Sequence, residues 1–262
     1  MPRRSTSRVP RGTPGGWRWH RTGETALIGQ SSGFFPTSRG SRIDQIRLQP
    51  DGSWGEAERV SFSTQSTADL DPFFTSDGAR VWFTSIRPVD GSDRTDTDLW
   101  YVDRLPDGTY GEPVNPGPPV NSPAEDLYPS IGPDGTLYFG SDRADNGFDI
   151  WRAAPLLNGD WGPAEPLPAP VTTTSWEFNP VIAPDGQTLV FTSLDREGGE
   201  GRGDLWFTTP DGAGWTEPEL LKTVNSARDE YHASFSPDGS TMFFVRDGAL
   251  HQIPTDATGL AP

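Results

Sequence analysis

The stretch Glu125–Trp151 reads EDLYPSIGPDGTLYFGSDRADNGFDIW, and it decides the fold. An acid opens a short apolar run, which ends in Pro133-Asp134-Gly135. A second apolar run follows, then Ser141-Asp142-Arg143 with a polar loop, and a third run opens with Asp149-Ile150-Trp151. Asp-Gly is a hairpin turn signal, because Gly takes φ > 0 without steric cost and Asp tolerates it. The flanking runs are too short for helices and rich in β-branched and aromatic residues, so they read as strands. The unit is a small antiparallel meander. Valine at Gly135 is expected to strain the turn, whereas Gly147, in the polar loop, is expected to tolerate substitution far better.

Outward from this stretch the chain repeats it. The turn glycines Gly78, Gly135, Gly186 and Gly239 lie 57, 51 and 53 residues apart. A short segment with Trp or Tyr closes each of the first four units, at Trp54, Tyr110, Trp161 and Trp215. A period near 50 residues built from four short strands predicts sheets arranged radially. Each sheet has two apolar faces, and stacking around an axis buries both. Five units fit within residues 17–262, read as one all-β propeller of four-stranded antiparallel blades. A six-bladed parent with truncation is the alternative count. Residues 1–16 have no periodicity and read as a disordered basic arm. The fifth unit shows three strands. Either the segment around Pro14–Trp19 completes it, or it stays three-stranded.

Composition agrees. Gly (30) and Pro (27) suit a molecule made of tight turns, while ten Trp, 14 Phe and 5 Tyr supply core volume. Net charge is −16, and since residues 1–23 carry six Arg and no acid, the rest carries −22. So acidic a body repels nucleic acid and anionic membranes. There is no Cys, hence no disulfide and no thiolate nucleophile. No apolar run approaches the length of a membrane span, and no secretory h-region is visible, so compartment is unassigned from the residues alone.

The run acid-x-x-Pro-x-x-x-Pro-Asp-Gly, then Phe-x-Ser-x-Arg and Asp-Φ-Trp, resembles the repeat of bacterial TolB-like β-propellers, a WD-like family. Trp161-Gly162-Pro163 is similar to a signature of its exported members. The resemblance covers residues 60–254 well and 17–59 poorly. It implies an interaction module in a periplasmic or extracellular setting.

Aligned inner strands carry an acid at Asp69, Asp126, Glu177 and Glu230, and a variable residue two places on at Asp71, Tyr128, Asn179 and His232. Strand alternation puts both sets on one side, so they are expected to gather near one mouth of the channel. The acids are either a cation or polyol site, or blade-internal caps and arginine partners. The variable set breaks the repeat and is the better ligand-binding candidate. Trp176 has no counterpart in other units and could stack on a sugar ring or fill core. The recurring Arg87, Arg143 and Arg196 are expected to pair with the third-strand acids Asp98, Asp149 and Asp204. Loop acids Asp90, Asp93, Asp96, Asp142 and Asp145 lack calcium-loop spacing and read as solvated. Gly29–Gly33 matches a nucleophile-elbow pattern but no helix follows, so Ser31 is set aside.

No metal or cofactor motif is present. The residues favour a non-catalytic, monomeric binding module for a protein or glycan ligand at the channel mouth. The alternative is a glycan-active enzyme of glycosidase type, whose two carboxyls must lie about 5–9.5 Å apart.

Overall fold

The computed structural model describes residues 17–19, 24–30, 41–64, 67–89, 96–144, 147–212 and 214–260, the first three by backbone alone. The basic arm, Ser31 and the loop acids Asp90, Asp93 and Asp145 lie outside these.

Five antiparallel sheets follow one another along the chain. The first is β1 (Trp17–Trp19), β2 (Thr25–Gln30), β3 (Arg42–Arg47) and β4 (Glu58–Arg59). The second is β5 (Asp69–Phe74), β6 (Arg80–Ser85) and β7 (Asp98–Asp103), with Val114 bridged to Tyr101 as an outer element. The third is β8 (Asp126–Ile131), β9 (Leu137–Ser141), β10 (Asp149–Ala153) and β11 (Glu165–Pro166). The fourth is β12 (Trp176–Ile182), β13 (Leu189–Leu194), β14 (Gly203–Thr208) and β15 (Glu219–Leu220). The fifth is β16 (Glu230–Phe235), β17 (Thr241–Arg246) and β18 (Ala249–Pro254), followed by a 3-10 turn over Thr255–Thr258.

These sheets are the blades of a five-bladed propeller. Their inner strands lie side by side around the axis, and β1 packs against both β5 and β16, which closes the ring. Trp17–Trp19 is therefore the inner strand of the first blade, paired with β2. The fifth blade has three strands among the described residues.

The core lies between blades, as two-faced sheets require. Val181, Val190 and Leu205 of the fourth blade pack on Ala233, Met242 and Phe244 of the fifth. Leu27 and Ile43 of the first pack with Val81 and Phe83 of the second. The Pro-Asp-Gly turns also interlock. An added Cβ on Gly186 would lie 3.3 Å from Pro133, and one on Gly239 2.6 Å from Pro184. The proline of one turn thus rests on the glycine of the next blade's turn. The inner strands of the second to fifth blades carry the acid at or next to their start and run to the turn, so the channel has an acid end and a turn end.

Candidate functional site

At the acid end the four repeated carboxylates are buried, each fully shielded from solvent and tied to an arginine. Asp69 accepts from Arg87 Nη2 at 2.7 Å and from Ser85 Oγ at 2.7 Å. Asp126 accepts from Arg143 and from the amide of Ser122 at 2.7 Å. Glu177 accepts from Thr173 Oγ1 at 2.6 Å and Arg196 at 3.5 Å. Glu230 accepts from Arg246 and from Ser226 Oγ at 2.7 Å.

Each guanidinium also donates to a backbone carbonyl of the segment entering its blade, at Phe62, Val120, Val171 or Val224. Three of them lie over the third-strand tryptophan, with the guanidinium carbon 5.2 Å from the Trp100 ring, 4.9 Å from Trp151 and 5.1 Å from Trp206. Acid, arginine and tryptophan therefore form a clamp in each of the second, third and fourth blades. Burial pushes the Asp126 and Glu177 carboxyls above the usual carboxylate range, against the pull of Arg143 and of the Thr173 hydrogen bonds respectively.

This arrangement decides the open reading of the repeated acids in favour of blade-internal arginine partners, and it corrects the expected partners of the arginines. The recurring arginines serve the inner-strand acids, while Asp98 accepts from Asn115 Nδ2 and Asp204 from the amides of Glu200 and Gly201. Inner-strand acids on strand one and arginines at the end of strand two meet because those strands are hydrogen-bonded neighbours. The repeated acids, moreover, do not line an open mouth; their lone pairs are spent within the blade. In the fifth blade Arg246 stands directly opposite Glu230, at the register that Ser85, Ser141 and Ser193 hold in theirs, so a strict Ser-x-Arg spacing would not find it.

The variable set behaves differently. Asp71, Tyr128, Asn179 and His232 all adopt the left-handed region, with φ of 51°, 57°, 53° and 55°. Each sits at a break in register between inner strand and second strand. Such a bulge resets side-chain direction, so simple alternation from the acids does not carry through them. A left-handed conformation at a residue other than glycine costs about 1–3 kcal/mol and persists only when its surroundings hold it.

The bulge brings several of these residues together. The rings of Tyr128 and His232 meet edge to face at 5.5 Å, although the fourth blade lies between theirs. They therefore touch inside the channel. Tyr128 also contacts Phe178 at 5.6 Å, and its amide donates to Thr84 Oγ1 of the second blade. Burial first, then the nearby charge of Asp71, pushes the Tyr128 phenol far above its ordinary range, so it stays protonated. Asp71 is 6% exposed. Asn179 has no exposed surface, and neither its amide oxygen nor its amide nitrogen has a hydrogen-bond partner.

Trp176 begins the same strand as Asn179 and is 46% exposed. Its indole meets Phe148 edge-on at 5.6 Å. Gly147 lies beneath it with φ of 106°, and an added Cβ there would come 2.4 Å from Nε1. The loop glycine expected to be tolerant is thus both conformationally special and sterically closed.

At the turn end the channel widens into a cavity of about 420 Å³, walled by Phe73, Ile131, Val181, Phe235, Pro133 and Pro184. Sequence reading missed it. Prolines and aromatics serving the turns and the core give no separate signal for a cavity. Among the described residues no group of three or more potential metal ligands converges, and no helix is long and apolar enough to cross a membrane.

No protein-family model matches the chain, and no curated protein matches it. Among solved structures it is similar to a thermostable family-43 glycoside hydrolase, 12% identical over 95% of this chain and 92% of that one, with a TM-score of 0.61. It is similar to the periplasmic gluconolactonase PpgL of Pseudomonas aeruginosa, 16% identical over 92% and 68% of the two chains, TM-score 0.51. It is also similar to the tricorn protease, 18% identical over 96% of this chain, TM-score 0.56, but spans only 22% of that chain. Likeness at such identities is likeness of fold.

Proposed function

We infer that this propeller is a binding module that takes a glycan or similar polyhydroxylated ligand at the acid end of its channel. Asn179 is the observation that carries the reading. A buried amide with neither group hydrogen-bonded costs about 1–3 kcal/mol per group, and it is held at the axis in a strained backbone conformation. An amide that both donates and accepts matches a sugar hydroxyl, which also does both. Asp71 adds an acceptor and Tyr128 a protonated phenol beside it. Trp176, exposed three residues earlier on β12, offers a ring face at the rim. Two of the similar structures are named for sugar chemistry, a glycoside hydrolase and a gluconolactonase. The three Pro-Asp-Gly turns and their Ser76-Asp77-Gly78 counterpart support placing the chain with TolB-like propellers, and with them in a periplasmic or extracellular setting.

A second reading, a glycan-active enzyme, draws support from Asp71, the one inner-strand carboxylate outside the repeat. Glycosidase chemistry uses two carboxyls, and the other four inner-strand acids are each held by an arginine. This distribution favours binding over hydrolysis.

Asn179→Gly tests the reading. Glycine accepts φ of 53° at no steric cost and removes the orphaned amide. The variant should melt at the same temperature as the parent or a few degrees higher. Against a panel of oligosaccharides followed by thermal shift and calorimetry, the parent should be stabilised by at least one glycan, and the variant should bind it at least about tenfold more weakly. Undiminished binding by the variant would remove the axial site. Cleavage of the glycan that stops in Asp71→Asn would establish the enzymatic reading instead.

A further inference from the structure

The third strands of the first four blades share one feature that, among the described residues, the fifth lacks. At one register position, held by Ile43, Leu99, Ile150 and Leu205, the backbone carbonyl turns outward and receives a hydrogen bond. Ile43 O accepts from the Val60 amide at 3.1 Å, Ile150 O from Leu167 at 2.8 Å, and Leu205 O from Leu221 at 3.0 Å. In the second blade the Asn121 side chain takes this role, accepting from Leu99 N and donating to Leu99 O. Two residues on, Tyr101 exchanges both its backbone bonds with Val114, at 3.0 and 2.8 Å.

Register carries this geometry to β18. Leu250 pairs with Val245 as Leu99 pairs with Thr84, and Gln252 pairs with Phe243 as Tyr101 pairs with Trp82. The N–H and C=O groups of Leu250 and Gln252 therefore face away from β17. Among the described residues nothing bonds to them. An antiparallel edge of this kind is a template for another strand.

The sister blades define what fits. Their outer segments read Ala57-Glu58-Arg59-Val60, Ala164-Glu165-Pro166-Leu167 and Pro218-Glu219-Leu220-Leu221. Glu lies at the rim, and the last residue is buried between blades at 1–2% exposure in Val60, Leu167 and Leu221. At the seam between fifth and first blades the corresponding cluster is Ala26, Ile28 and Ile46, with Leu250 and Trp54 against it. An incoming leucine would extend that cluster. We propose that the outer edge of β18 is a docking site for an extended segment of a partner polypeptide with the form (Ala/Pro)-Glu-x-(Leu/Val), added as the fourth strand of the fifth blade.

The probe is a fluorescein-labelled peptide WGPAEPLP, copied from Trp161–Pro168, titrated into the full chain by anisotropy. Saturable 1:1 binding is expected. Replacing the peptide's leucine by aspartate should weaken it at least about tenfold, since a charge would enter the seam. The protein variant Gln252→Pro removes an outward N–H while leaving the bonds to β17 in place, as proline on an edge strand does. It should lose peptide binding and melt within a few degrees of the parent. Glycan binding at the axis should be unchanged in it.

No binding by a folded parent, or equal binding by Gln252→Pro, would overturn the proposal. So would two other results. A tenfold rise in peptide affinity on removal of residues 1–16 would assign the edge to the chain's own N-terminal segment. A concentration-dependent dimer abolished by Gln252→Pro would assign it to a second copy.

Discussion

Arg143→Ala is expected to lower the unfolding free energy at neutral pH by about 3–5 kcal/mol, the cost of stranding one member of a buried ion pair. Asp126 has no exposed surface, and Arg143 is its arginine partner among the described residues. The loss also removes the bond to Val120 O and the packing of the guanidinium on Phe139 and Trp151. The pH dependence identifies the cause. Burial already holds the Asp126 pKa above its ordinary value, and without Arg143 it must rise further. A carboxyl with a raised folded-state pKa takes up a proton on folding. Its contribution to stability is therefore full below the unfolded pKa, near 3.9, and is lost as pH rises through the folded value. The gap between parent and variant should be widest at pH 7–8 and shrink towards pH 4, measured by urea unfolding at each pH. A gap that stays constant would show that lost packing, not a stranded charge, is responsible.

Gly239→Ala is expected to cost roughly 2–4 kcal/mol, combining a left-handed non-glycine residue with overpacking. The backbone there has φ of 71°, and the new methyl would lie 2.6 Å from Cβ of Pro184 on the neighbouring turn. For a chain of this size that corresponds to a fall in melting temperature of roughly 5–15 °C. Gly159→Ala supplies the control. Its φ is 88°, but nothing lies within 4 Å of the added methyl, so only the conformational cost of about 1 kcal/mol remains. Equal losses at the two positions would mean that the turns do not interlock and that the recurrence of Pro-Asp-Gly is local turn chemistry alone.

The sequence by itself determined the parts whose causes lie within a few residues. Asp134-Gly135 and its sisters specify hairpins through backbone sterics, and the alternating short runs specify strands, so five meanders could be counted before any contact was known. The recurrence of an acid at the head of four inner strands and of an arginine past the second strand in three units was also legible. The partnership between them was only one of the readings open, because the same arginine could serve either neighbouring strand, and only hydrogen-bonded register chose the inner one. Strict alternation failed at Asp71, Tyr128, Asn179 and His232, where a bulge turns the backbone left-handed. None of the four is a glycine that would announce such a conformation.

Tertiary structure alone decided what the channel contains. Tyr128 bonds to Thr84, 44 residues away, and meets the ring of His232 across an intervening blade. Both contacts depend on the angle at which rigid sheets stack. That angle is set by the whole inter-blade core, including clusters such as Val181, Leu205 and Phe244, and no local run of residues encodes it. The same reason governs β18. A strand pattern says that Ala249–Pro254 is extended, but whether its outer edge is covered depends on which other segment reaches it in space.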